Sequence, residues 1–334
     1  MALTAVVRGF GGLFLTRLGV GAGEASLTPA AHSIIRDVAH PDVLARAMAV
    51  FGTGSVLGLG AAYLMGGQLF AVFSEFGSQN LWGWTIAPWQ MVFVAFAVPG
   101  LVLVGLLSMV REPQRRTHDL ASNTSNDVAR KQAIRANPMA LAGLYVGIGF
   151  YSTAIHAFNA WLPSHFVRAF GWSIADVGLV FSGIIIVGGL IGMFASGFAG
   201  DRLGTGEIRA KILMRITGFS ALVAIPILGG AALWSSAWAT ILILVPAVAL
   251  TAVPAVLGPS VVQMVAPVSL RARYSALYLM SYTLVGVALG PALVGLVSDS
   301  GLNLAYAISL VATVSLSAAA FAFLSSSAAF RQPA

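Results

Sequence analysis

The sequence predicts an all-α polytopic membrane protein of about nine transmembrane helices. Three observations carry that expectation. Of 334 residues, 58% are hydrophobic and 9% are Asp, Glu, Lys or Arg, against about 25% charged in an ordinary soluble domain. Nine apolar stretches are each long enough to cross a bilayer core of about 30 Å as a helix, which takes about 20 residues. The basic residues gather in alternate connections between those stretches. A soluble enzyme, a disordered chain and a nucleic-acid-binding protein are all excluded, because so few charges cannot supply a soluble surface. The alternating ten-residue pattern of a membrane β-barrel is absent.

The predicted spans run over 10–35, 47–74, 88–110, 138–163, 172–199, 212–233, 237–264, 274–298 and 302–325. Backbone groups in lipid must pair within their own segment, so each is helical. The 37 glycines suit helices that approach closely through small residues. The start lacks the basic, apolar and small-residue succession of a removable signal peptide. Fifteen of the 18 bases, from Arg36 and Arg46 through Arg202, Arg209, Arg271 and Arg273 to Arg331, lie in one set of connections. Basic connections stay cytoplasmic. That expectation places the C-terminus in the cytoplasm and makes the chain a multi-pass protein of a plasma or inner membrane.

The long polar stretch 111–137 reads as a cytoplasmic linker. It divides an incomplete N-terminal half (1–110) from a six-helix C-terminal half (138–326), followed by a short cytoplasmic tail (327–334). The Asn123-Thr124-Ser125 sequon lies on the predicted inner side, where glycosylation does not occur. An internal repeat fixes a register. Pro41, Leu44, Arg46 and Ala49 precede Gly58, Ala62 and Gly67, and Pro267, Leu270, Arg273 and Ala276 precede Gly286, Gly290 and Gly295 at nearly the same spacing. The second copy lies on the fifth helix after the linker and the first on the second helix before it. Two equal halves would then make twelve helices, with three missing from the front.

The residues resemble the major facilitator superfamily. Arg17, Gly21, Gly23, Glu24, Ala25 and Pro29, then Asp37, Pro41 and Arg46, are similar to that family's fourth helix and the loop after it, most closely to Spinster-like members. Asn159 to Pro163 and Gly171-Trp172-Ser173 resemble the end of its seventh helix. Gly197, Asp201, Arg202 and Gly204 resemble its conserved loop motif, although Thr205-Gly206 stands where a basic pair is expected. The resemblance covers the chain as helices 4 to 12, with residues 1–9 as the tail of the third. It implies a secondary transporter that rocks one half against the other, with small, amphipathic, lipid-like or drug-like solutes and probable proton coupling. Cytoplasmic gating by Asp201 and Arg202, with Gly197, Gly204, Asp37 and Arg46, follows from the same resemblance.

Arg17 and Glu24 are the candidate coupling pair. Seven residues is nearly two helical turns, so both face one way about 10 Å apart. Charges inside a span are costly and are functional candidates by default, although a static pairing would look the same. Tyr151, His156, Asn159 and Trp161, with Tyr278 and Tyr282, can share faces and line a cavity, or anchor span ends at the interface. Gly54, Gly58 and Gly66 form one packing stripe, Gly188 and Gly192 a second, and Gly286 and Gly290 a third. The resemblance pairs the helices of the first two stripes across the halves, with ordinary packing inside one half as the alternative, and turns the third toward a missing helix.

Other motifs are weaker. His32 and Asp37 match an acyltransferase spacing, which keeps an integral-membrane enzyme as an alternative, alongside a truncated remnant that does not transport. His40-Pro41-Asp42 lacks the soluble hairpin that a J-domain needs. With no cysteine, no metal-ligand histidine spacing and no phosphate-binding loop, no cofactor or metal is expected. The expected partners are a small or lipid-like solute, protons and the lipid bilayer, and no nucleic acid.

Overall fold

Where the apolar runs begin and stop as helices follows from serine caps and terminal glycines. The computed structural model describes residues 2–24, 27–81, 84–109, 138–203, 206–266 and 270–329. The helices are α1 (Phe10–Glu24), α2 (Leu27–Val38), α3 (Leu44–Phe76), α4 (Pro88–Leu107), α5 (Pro138–Phe170) and α6 (Ile174–Arg202). They continue as α7 (Gly206–Ala231), α8 (Ala237–Val265), α9 (Arg271–Met280), a π-helical stretch Ser281–Val287, α10 (Ala288–Asp299) and α11 (Leu304–Ala329). Ser173 caps α6 by accepting from the Asp176 N–H, and Ser236 caps α8 in the same way. Gly77, Gly171 and Gly301 take positive φ just beyond helix ends, which only glycine does without strain. An antiparallel pair, Gln79–Leu81 with Trp84–Ile86, joins α3 to α4.

Among the described residues, eight helices are long and apolar enough to cross a membrane, counting α9 through α10 as one. The ninth expected span, 10–35, is helical over Phe10–Glu24 and again from Leu27, on either side of residues 25 and 26, which lie outside the described residues. The linker 111–137 and the tail from residue 330 lie outside the described residues.

The last six spans pack as one bundle. α5 lies against α11, where Ser326 Oγ donates to the Ala140 carbonyl and a side chain on Gly143 would strike the Ala322 carbonyl. α7 lies against α11 through Gly218 on Leu324. Phe166, Leu144, Leu228, Leu257 and Phe323 are almost wholly buried between these helices. Large apolar residues cover the outside, such as Leu101 (74% exposed), Leu242 (77%) and Phe321 (75%). A lipid-facing surface has that composition.

The most extensive helix contact is α3 along α6. It corrects the expected stripes. Gly54, Gly58 and Gly66 have open space where a side chain would go. The face of α3 that meets α6 carries Ala45, Ala49, Val56, Gly60 and Gly67. On α6 it is met by Gly200, Gly197, Gly189 and Gly178. Gly188 and Gly192 press on the Val245 and Ala249 carbonyls of α8 instead, which is packing within the C-terminal bundle. Gly286 and Gly290 press on α5 at Ser152 and Thr153, so they serve their own bundle and do not await a missing helix. The reason is common to all three. Each helix is apolar on every side, so small residues mark several faces and only the neighbour decides which one is used.

Candidate functional site

The α3–α6 seam is fastened at the end of the molecule that carries Arg46, Arg202 and Arg209, called here the basic end. The N-terminus of α3 has free N–H groups, because Val43 at the cap position has no side chain that can accept them. Asp201, at the C-terminal end of α6, supplies the acceptor. Its Oδ1 accepts the Ala45 N–H at 2.9 Å, and its Oδ2 accepts the Arg46 N–H at 3.1 Å. The carboxylate also meets the positive end of the α3 dipole. Arg46 Nε donates to Oδ2 at 2.8 Å, and Arg209 Nη2 donates to Oδ1 at 2.9 Å. Arg209 Nε holds the Gly200 carbonyl at 2.9 Å. The Asp201 and Arg209 side chains are 4% and 8% exposed, whereas Arg46 is 45% exposed. A carboxylate taking four hydrogen bonds from buried or half-buried donors is well satisfied.

Gly197 makes room for this clamp, since a Cβ there would fall 2.9 Å from the Ala49 Cβ. Arg202 is exposed and takes no part in the clamp. Gly204 and the Asp37 side chain lie outside the described residues. Arg209 was not among the sequence candidates. It stands seven residues beyond Arg202, on the next helix, and reaches back to Asp201. Only its place in a basic connection after the motif could have flagged it.

A second fastening lies toward the opposite end. Tyr63 Oη on α3 donates to the Asn159 carbonyl of α5 at 2.7 Å, and Gln68 Nε2 donates to the Ala175 carbonyl of α6 at 3.3 Å. Between the two fastenings is a cavity of about 180 Å³. From α3 it is lined by Ser55, Val56 and Leu59, and from α5 by Ile148, Tyr151, Ile155, His156, Phe158 and Asn159. α6 adds Ile185, Gly189 and Met193, α7 adds Leu228, α8 adds Thr251, Ala252 and neighbours, and the π-helical stretch adds Tyr282. No Asp, Glu, Lys or Arg is among these residues.

Four of the six expected cavity residues, Tyr151, His156, Asn159 and Tyr282, are thus together. The other two tie helices. Trp161 Nε1 donates to the Pro291 carbonyl at 2.9 Å, and Tyr278 Oη donates to the Pro254 carbonyl at 3.3 Å. Tyr282 sits on the π-helical stretch, a form common at functional sites. Ser152 Oγ donates to the Tyr282 carbonyl at 2.9 Å and Thr153 Oγ1 to the Val285 carbonyl at 3.0 Å, which fixes that stretch on α5. The His156 ring stands edge-on to Tyr282 with centroids 5.4 Å apart.

Arg17, one of the expected coupling pair, is elsewhere. The Arg17 guanidinium lies 4.9 Å from the centre of the Phe93 ring of α4, a cation–π contact, and does not line the cavity. Glu24 ends α1, and its side chain lies outside the described residues. His32 is buried with its ring edge-on to Phe51. Among the described residues, no group of histidines and carboxylates could hold a metal ion.

Residues 1–291 match the model of the Major Facilitator Superfamily. An "MFS-type efflux pump" of Mycolicibacterium smegmatis is 26% identical, over 86% of this chain and 63% of that protein. "Protein spinster homolog 1" of Xenopus laevis is 25% identical, over 86% of this chain and 55% of that one. The chain therefore spans between half and two thirds of the length of these relatives. A solved bacterial homolog of the human lysosomal transporter Spinster, inward-facing and unoccupied, shares the fold with a TM-score of 0.65 at 24% identity. That match covers 98% of this chain and 78% of the other. The family consists of transporters, which removes the acyltransferase alternative. The all-helical fold, the charge clamp at the loop motif and the match over most of its length agree: the chain belongs to the Major Facilitator Superfamily.

Proposed function

We propose that this chain is a secondary active transporter of small or amphipathic solutes, working by alternating access around the α3–α5–α6–α8 cavity, with its basic end in the cytoplasm. The observation that carries the reading is the placement of a charge-free cavity between two fastenings of α3 to the C-terminal bundle. Asp201 closes the basic end and Tyr63 closes the other. A carrier must open one while the other holds. The clamp suits that duty because its bonds join helix ends and half of it, at Arg46, is already wet. The efflux pump among the relatives supports a drug-like or lipid-like solute, and the basic connections support the orientation.

The native chain has no cysteine, so introduced thiols report without background. A Cβ at 197 falls 2.9 Å from the Ala49 Cβ, so the Ala49→Cys, Gly197→Cys pair reaches disulfide geometry (about 3.8 Å between Cβ atoms) once the seam yields by about 1 Å. Oxidising it is expected to shut the basic end. A third cysteine at Ser55 should then lose labelling by a membrane-impermeant maleimide from the cytoplasmic side and keep it from the other. Equal labelling from both sides before and after oxidation would end the alternating-access reading.

We assign coupling to protons, with Glu24 as the carrier and Arg17 as the neighbour that tunes it. An ionisable residue within a span is expensive, and that cost supports a functional role. Glu24→Gln is expected to abolish proton-driven movement of a neutral fluorescent dye, Nile red, in vesicles under a pH gradient, while leaving counterflow of the dye intact. Uptake that still follows the gradient in Glu24→Gln would remove Glu24 from the mechanism.

A further inference from the structure

We propose that Pro163 builds the latch at the end of the molecule opposite the clamp: it strips the Asn159 carbonyl of its partner within α5, and Tyr63 of α3 holds that carbonyl while this end is shut. The proposal rests on the alternating-access reading, since a latch needs two states. Three observations carry it. The first is covalent. A carbonyl in an α-helix accepts the N–H four residues further on. Pro163 stands in that position relative to Asn159, inside α5. Proline has no N–H, and its ring crowds the carbonyl four residues back. The Asn159 carbonyl must therefore find its partner elsewhere.

The second is the source of that partner. Seven prolines lie inside helices among the described residues. Of the carbonyls four residues before them, only that of Asn159 takes a hydrogen bond from another helix among the described residues. Tyr63 Oη gives it, at 2.7 Å. The Tyr63 ring is packed separately, on Phe181 of α6 with centroids 5.9 Å apart. Tyr63→Phe thus removes the bond and keeps the ring in place.

The third is position. Asn159 lines the central cavity and Tyr63 does not, so the bond stands at the edge of the cavity. Water enters there when α3 parts from α5. Shut, the carbonyl has Tyr63; open, it has water. Without the hydroxyl, only the shut state keeps a carbonyl from both, and a buried polar group without a partner is costly. A carbonyl already bonded within its own helix would lose far less. The proline is the reason that a single hydroxyl sets the balance between the two states.

The test is a double-mutant cycle on the full chain. Tyr63→Phe is made in the parent and in Pro163→Ala, which returns an N–H to the Asn159 carbonyl; Pro163→Ser serves if Pro163→Ala does not fold. A single cysteine at Thr251, half-buried in the cavity wall, reports opening. Membrane-impermeant maleimide is applied to right-side-out and to inverted membrane vesicles. Tyr63→Phe in the parent is expected to speed labelling from the side opposite the clamp about tenfold. From the cytoplasmic side it should bring no increase. In Pro163→Ala the same change should speed labelling about twofold or less. Equal effects in the two backgrounds overturn the role of Pro163. Unchanged labelling in Tyr63→Phe, or equal acceleration from both sides, overturns the latch. Reversible unfolding of the four proteins in mixed micelles reads the bond without calling on transport. Tyr63→Phe should raise the unfolding equilibrium constant about tenfold beside Pro163 and about twofold or less in Pro163→Ala. An uncoupled cycle overturns the proposal and leaves alternating access to the oxidised Ala49→Cys, Gly197→Cys pair. A coupled cycle with labelling unchanged keeps the bond and overturns its gating role, and the oxidised pair then decides separately whether alternating access falls with it.

Discussion

Replacing Asp201 by Ala is expected to destabilise the chain by about 3–5 kcal/mol and to abolish transport. That is the ordinary cost of removing one member of a buried ion pair, because the other charge is left without compensation. Arg209 is the abandoned partner, 8% exposed and 2.9 Å from the carboxylate it would lose. The same change uncaps α3, whose Ala45 and Arg46 N–H groups have no local substitute for Asp201; a lost cap alone costs about 1 kcal/mol. Asp201→Asn keeps an acceptor oxygen and should fall between the parent and Asp201→Ala. Arg46→Ala removes a half-exposed partner, and pairs of that kind are worth about 0–1 kcal/mol. Reversible unfolding in mixed micelles, read by helicity, ranks the three variants. An Asp201→Ala protein as stable as the parent, or an Arg46→Ala protein as damaged as Asp201→Ala, would refute the clamp as described.

The second large effect comes from a single methyl group. Gly178→Ala places a Cβ 2.5 Å from the Tyr63 carbonyl and 3.2 Å from the Gly67 Cα. Both are backbone atoms and cannot turn aside. α3 and α6 must therefore separate at the end opposite the clamp, at a cost of about 1–3 kcal/mol for overpacking. Gly58→Ala is the contrasting case on the same seam helix, with nothing within 4 Å of the new atom. It should stabilise the helix by up to about 1 kcal/mol, the usual gain of Ala over Gly in a helix interior. Loss of the seam in Gly178→Ala should also raise the reactivity of a cysteine at Gln68, whose amide bridges to the Ala175 carbonyl of α6. Equal stability of the two glycine variants would mean that the contact face of α3 is not the one described.

The two glycines also show where the sequence stops being legible. Gly54, Gly58 and Gly66 recur at helical spacing as clearly as Ala49, Val56, Gly60 and Gly67. In a soluble helix a polar face would settle which row turns inward. α3 has polar residues on no consistent side, and lipid is as apolar as the protein interior, so the contrast that normally marks the buried face is missing. The same ambiguity left Gly188 and Gly192 between a neighbour across the halves and one within their own half, where they pack, and it turned Gly286 and Gly290 toward a helix outside this chain rather than toward Ser152 and Thr153.

At the candidate site the legible part was chemical type. Tyr151, His156, Asn159 and Tyr282 stood out as polar groups inside apolar spans, and they share one cavity. Trp161 and Tyr278 looked the same in the sequence but serve as ties between helices, each giving its proton to a carbonyl. Arg209 could not be distinguished from Lys211 or Arg215 in its connection, since all three are bases at one membrane face. Only the end of α6 selects it, through its distance to Asp201.

Composition and hydropathy alone determined that the chain is a bundle of membrane-crossing helices, because a bilayer admits no other use for runs so long and so apolar. Motif spacing determined which family such a bundle resembles. The tertiary structure decided what touches what: which glycine rows close the seam, which arginines answer Asp201, and which polar residues share the cavity. Those outcomes depend on distances of a few tenths of an ångström between segments more than 100 residues apart, and helices that are apolar on all sides carry no local signal of them.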